Sequence, residues 1–209
     1  VLIVIICAVA GLGYIRERYT PSNERANLND LFQITAADEA AVIVNDLLTE
    51  EKAKLYQGEV YLTYSYVTSS LNKKVYMDER ERLLLYALPE RIVQAAEGTP
   101  LADMAELEGV EGNMAPVWFE EEGVYYISVS FVSRFTDRNF QYFEEPARLF
   151  IDDSEGTRRQ AEVQKDTQVR RLGGIKSEIV TDAAAGSQVE ILDSMEEWSQ
   201  VRTENGFIG

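Results

Sequence analysis

The sequence predicts an α+β, β-rich protein with an N-terminal transmembrane helix, a small α+β domain built by duplication, and a small, incomplete β-barrel. Three observations carry this. The first fifteen residues hold no charge. A stretch of 29 residues lies over another one 65 positions later without a gap. From about Glu162 onward, short apolar-alternating runs follow one another with tight turns between them.

The opening run, VLIVIICAVAGLGYI, is ended by Arg16-Glu17-Arg18. Fifteen helical residues rise only about 22 Å against a hydrocarbon core of about 30 Å. The chain starts at Val1 and stops at Gly209 with no sign of a natural end, so it is expected to be a fragment open at both ends. A few preceding residues would complete the span. A cleaved signal peptide competes, because Ala8-Val9-Ala10 has the small-x-small form of a cleavage site, and so does a buried core helix. Bulky Ile6 before Cys7 argues against lipidation. Anchor and signal agree that the bulk of the chain is exported. The expected location is the cell membrane, single-pass through residues 1–15, with the rest on the cell-wall side.

Composition narrows the function. With 36 acidic and 20 basic residues the net charge is −16, which makes nucleic acid a poor partner, since binding it needs clustered Lys and Arg. The chain has no histidine. That removes Ser-His-Asp and Cys-His nucleophile systems, His-ligated zinc and the commonest general base. Cys7 is the single cysteine, so there is no disulfide framework. No cofactor and no metal is expected.

Residues 19–37 read as a juxtamembrane linker, in which Ser22 could cap a short helix with Leu28, Leu31 and Phe32 on one face. Residues 38–155 form the duplicated domain. Gly58, Tyr61, Ser65, Val67, Glu79 and Leu84 recur as Gly123, Tyr126, Ser130, Val132, Glu144 and Leu149. Each copy predicts a glycine turn and a strand (Val60–Leu62; Tyr125–Ile127). A short helix carrying Tyr66, Val67 and Leu71, or Phe131, Val132 and Phe135, comes next. Two strands around an acidic turn complete the copy. Apolar runs, Ala41–Val44 and Val117–Phe119, precede the copies, and an extra strand, Arg91–Ala96, lies between them. A linker at 156–161 leads to the barrel, 162–209, with strands at Thr167–Arg170, Ile179–Val180, Gly186–Leu192 and Glu197–Arg202. A strand beyond Gly209 is expected to be needed to close it.

No catalytic site is predicted. Ser70-Leu71-Asn72-Lys73 fits Ser-x-x-Lys without its companion motifs. Asp152-Asp153-Ser154-Glu155 lacks the spacing of a catalytic carboxylate pair. The candidate ligand-binding residues are Trp198, Arg170, Tyr125 and Tyr126. Trp198 offers a face that can stack on a sugar or cover a peptide, unless it plugs the barrel. Tyr125 and Tyr126, with Tyr61, Tyr64 and Tyr66, could form an exposed aromatic patch, although alternation sends about half of such residues into a core.

The duplicated layout resembles the copper amine oxidase N-terminal-like domain of exported bacterial proteins, but the chain has no histidine and no Met-Cys cluster to hold copper. Residues 162–209 resemble bacterial SH3 domains. They share Val169-Arg170 after the first strand, Gly186 before the third, Trp198 three residues before Val201-Arg202, and Asn205-Gly206-Phe207-Ile208-Gly209. The whole order, with Tyr19-Thr20-Pro21-Ser22 and Gly173-Gly174-Ile175-Lys176-Ser177, is similar to the front of membrane-anchored family-18 glycoside hydrolases of Gram-positive bacteria. The resemblance implies a non-catalytic region that anchors, spaces and targets a cell-wall hydrolase. Its SH3-like barrel would dock on wall glycan or peptide, with peptidoglycan the leading ligand. The Asp-x-x-Asp-x-Asp-x-Glu signature of that enzyme family is absent here. An envelope sensor or scaffold without an enzyme, or another wall hydrolase downstream, fits the same order of modules.

Overall fold

A computed structural model describes residues 17–153 and 158–209. The membrane span expected at residues 1–15 lies outside the described residues. Among those described, no helix is long and apolar enough to cross a membrane. The chain divides into two compact units, one of residues 32–156 and one joining the stretch up to Leu31 with 157–209. Strands dominate both, and helices are short.

The first unit begins with β1 (Glu39–Val44), β2 (Leu47–Tyr56) and β3 (Glu59–Thr63). Two-residue turns at Asn45-Asp46 and Gln57-Gly58, with positive φ at all four residues, join them. A helical turn, Tyr64–Tyr66, runs into a π-helical turn, Val67–Leu71, and then come β4 (Val75–Asp78), β5 (Leu83–Ala87) and β6 (Ile92–Ala96). The second copy supplies β7 (Trp118–Glu121), β8 (Val124–Ser128), the helix Val129–Arg134, β9 (Arg138–Phe143) and β10 (Arg148–Asp153).

Pairing within this unit follows the repeat. Lys54 opposite Tyr61 in the β2–β3 hairpin becomes Phe119 opposite Tyr126 in β7–β8. Met77 opposite Leu84 becomes Tyr142 opposite Leu149. Thr63 and Ser128, equivalent positions, each cap the helix that follows, accepting from Tyr66 N and Phe131 N. The copies meet where β3 pairs antiparallel with β8, and Leu62 lies opposite its own equivalent, Ile127. A local pseudo-twofold axis therefore passes between these two residues.

Symmetry ends at the hairpins. The sheet order is β7-β8-β3-β2-β1-β10-β9, with β10 parallel to β1, whereas β4-β5-β6 form a separate antiparallel sheet. One core lies between these layers and the helices, with Val42, Leu62, Ile127, Leu149, Leu84, Val93, Phe131 and Trp118 buried in it. Leu62 and Ile127 enter it because alternate residues of a strand share a face.

The stretch 19–37, expected as a linker, is divided between the units. Phe32 packs its ring on the buried Arg148 guanidinium, 4.9 Å from the centroid, with Phe143 at 5.2 Å on the same group. Glu39 accepts hydrogen bonds from Thr35 and Ala36, which folds 35–36 onto β1. In the helical turn Leu28–Leu31 the cap is Asn27 rather than Ser22, because Asn27 Oδ1 accepts from Asn29 N. Ser22 is held elsewhere, its N–H donating to Ile175 O.

The second unit contains β11 (Arg159–Glu162), which begins in the expected linker 156–161, followed by β12 (Thr167–Arg170), β13 (Ile179–Ala183), β14 (Gln188–Ser194) and β15 (Ser199–Thr203). They form a sheet β11-β14-β15 and a pair β12-β13. Among the described residues β12 pairs with β13 alone, and no closed barrel forms. At the gap, Gly209 exchanges backbone hydrogen bonds with Val201 (2.8 and 3.1 Å). A Cβ on Gly209 would sit 2.5 Å from the Arg170 carbonyl oxygen, so this position tolerates only glycine without a backbone shift.

Candidate functional site

The open side of the second unit is a groove of about 360 Å³. Val169, Val189 and Val201 line it, together with Leu172, Met195 and Trp198. The valines come from β12, β14 and β15, where alternation turns them to one side. Leu172 and Met195 are exposed. Trp198 stands in the turn between β14 and β15, its carbonyl accepting from Met195 N–H (2.8 Å). A Cβ on Gly173 would approach Trp198 Cγ to 3.3 Å, so the ring lies against the bare backbone of Gly173. The indole is half-buried, neither a plug in a closed core nor a free surface ring.

Arg170 also borders the groove, but its guanidinium is turned to other work. It donates to Ser177 O (2.6 Å), Gln168 Oε1 (2.6 Å) and Ser22 O (3.0 Å), and the residue is buried. Its geometry is that of a residue that positions the 172–178 loop and the N-terminal segment. A second buried arginine, Arg202, binds Glu190 through Nε (2.9 Å), and Arg158 binds the same carboxylate at 3.0 Å. Burial pushes the Glu190 carboxyl up, but the Arg158 hydrogen bond and the Arg202 and Arg158 charges outweigh it and hold the group below its ordinary value of 4.5.

A pH dependence follows. The folded pKa of Glu190 lies below the unfolded one, so its contribution is whole above the ordinary glutamate range and is lost as pH falls through the lowered value. Amide exchange at β14 and β15 is expected to speed up, beyond the intrinsic change, as pH falls below the ordinary glutamate range. Glu190→Gln should flatten that dependence. An unchanged profile in the variant would remove Glu190 as its cause.

Tyr125 and Tyr126 do not make one patch. As neighbours on β8 they point to opposite faces. Tyr126 stacks on Phe119 (5.2 Å between centroids), which meets Tyr56 at 4.5 Å and Tyr61 at 4.9 Å. Lys54 lies 5.9 Å from the Tyr126 centroid and is paired with Asp38 and Glu121. Tyr61 is fully buried, donates to Pro116 O (2.7 Å), and has its phenol pKa pushed up chiefly by burial. Tyr125 faces the core side, edge-on to Trp118 (6.0 Å) and Tyr64 (6.5 Å). The groove thus gathers Trp198 and Arg170, while the two tyrosines belong to the other unit.

Sequence reasoning passed over Glu59. Its carboxylate accepts from Ser128 Oγ (3.1 Å), Ser130 N (3.1 Å), Ser130 Oγ (2.9 Å) and Asn113 Nδ2 (3.4 Å). The first copy thereby caps the helix of the second. Ser70 of the Ser-x-x-Lys match is exposed, with its Oγ 3.1 Å from Ser69 Oγ. Among the described residues no group of three His, Cys, Asp or Glu is placed to hold a metal ion. No protein-family model, curated protein or solved structure matches the chain.

Proposed function

We propose that the chain is the non-catalytic anchoring and targeting region of an exported glycoside hydrolase, with the second unit docking on cell-wall glycan or peptide. The observation that carries the docking role is the apolar groove with Trp198 on its border and Leu172 and Met195 exposed beside it. An aromatic ring fixed by its own turn offers apolar contact area at little entropic cost. The membrane role rests on the uncharged run 1–15 and the charged stop Arg16-Glu17-Arg18.

Co-sedimentation of the purified chain with isolated peptidoglycan sacculi tests the docking role. The wild-type chain is expected to pellet with sacculi, and Trp198→Ala to lose at least about tenfold in affinity, the loss of a central aromatic contact. Equal retention of the two chains, or none of either, overturns the proposal.

A further inference from the structure

Residues 17–31 precede the duplicated unit in sequence but fold with residues 158–209. Backbone makes the joint. Ser22 N–H donates to Ile175 O (2.8 Å), Ala26 N–H to Ile179 O (2.9 Å), and Ile179 N–H to Glu24 O (2.8 Å). The last two form a parallel bridge centred on Arg25 and Ile179. Ile179 thus faces the N-terminal segment, while Glu178 O, pointing the other way, accepts from Arg171 N–H. Strand β13 carries β12 on one edge and residues 24–26 on the other.

Side chains fasten the same segment at three further points. The buried Arg170 guanidinium holds Ser22 O. Arg25 is ion-paired with Asp182, and Lys176 Nζ donates to Glu17 O. The exposed ion pair adds little, and the backbone bonds with the charged hydrogen bond of Arg170 dominate.

We infer that Ser22–Ala26 is a structural clip, by which the segment leading out of the apolar run is an integral part of the second unit. Residues 32–153 are then an excursion of the chain between two parts of one folded unit. Whatever holds the N-terminal segment holds the second unit directly. The distance between them is set by the clip and not by the length of the duplicated unit. The six steps along the chain from Arg16 to Ser22 reach at most about 21 Å. Under the anchoring proposal, the groove would therefore work close to the bilayer surface. That last step alone rests on the anchoring proposal.

The test uses the whole chain with a protease site placed between Asp153 and Arg158. After cleavage, the two fragments are expected to co-elute on gel filtration. In Ala26→Pro, which removes the N–H that bonds to Ile179 O, they should separate. Fragments that separate in both chains, or stay together in both, overturn the clip. Hydrogen exchange on the uncut chains gives a second readout, independent of membrane and wall. The amides of Ser22, Ala26 and Ile179 in the wild type should exchange at least about tenfold more slowly than unstructured ones, and in the variant Ser22 and Ile179 should lose that protection. Ser22 and Ile179 protection that is the same in both chains overturns the inference. Loss that also spreads through β14 and β15 supports it in its stronger form, with the segment required for the unit to fold.

Discussion

Replacing Trp118 by alanine is expected to destabilise the first unit by about 3–5 kcal/mol, the range for truncating a buried aromatic residue. Trp118 has no exposed surface and joins two sheets. It starts β7 of the seven-stranded sheet, and its indole N–H donates to Ala95 O (2.9 Å) in β6 of the three-stranded one. Its own carbonyl accepts from Gly98 N–H (3.2 Å). Alanine would leave a cavity and remove the indole hydrogen bond that ties β7 to the Ala95 carbonyl. Trp118→Phe fills most of the space and loses only the hydrogen bond, so about 1–2 kcal/mol is expected. Urea denaturation followed by circular dichroism measures both. A loss below about 1 kcal/mol in the alanine variant would mean that the two sheets do not depend on this side chain.

Glu59→Ala should cost about 2–4 kcal/mol, because a carboxylate taking several hydrogen bonds contributes more than a neutral acceptor. Ser128 is fully buried and would be left pointing at the gap, and the first turn of the Val129–Arg134 helix would lose an acceptor. Glu59→Gln keeps one acceptor oxygen and should lose about half as much. The comparison separates charge from shape. A Glu59→Gln variant as stable as the wild type would show that the carboxylate charge contributes nothing.

Much of the first unit was legible because its signals are steric and periodic. Gly58 and Gly123 recur since each hairpin needs a positive φ at that point, which a β-carbon disfavours. Val60–Leu62 and Tyr125–Ile127 recur because the same face of the sheet meets the same kind of core. Pairing of β10 with β1 was not legible, since parallel partners far apart in sequence leave no turn signal. Period two separates Tyr125 from Tyr126, because neighbours on one strand face opposite sides.

The clip and Glu59 left weaker traces. Ser22-Asn23-Glu24-Arg25-Ala26 pairs through its backbone, which carries no side-chain pattern to read. Glu59, beside a glycine turn, looked like an ordinary surface charge, and only the fold brings Ser128 and Ser130 to it. The sequence points to Arg170 as a ligand contact, whereas its guanidinium holds backbone and Gln168. Its partners lie 7 residues ahead in Ser177 and 148 behind in Ser22, which sequence spacing cannot foretell.

The chain holds two tryptophans, one in the core of the first unit and one at the groove. That gives the docking proposal an internal control. In a ¹H–¹⁵N spectrum of the chain titrated with solubilised peptidoglycan fragments, the Trp198 indole resonance is expected to shift in a saturable way, while that of Trp118 stays fixed. A spectrum in which neither indole moves, or only Trp118 does, would contradict the placement of the ligand at this groove.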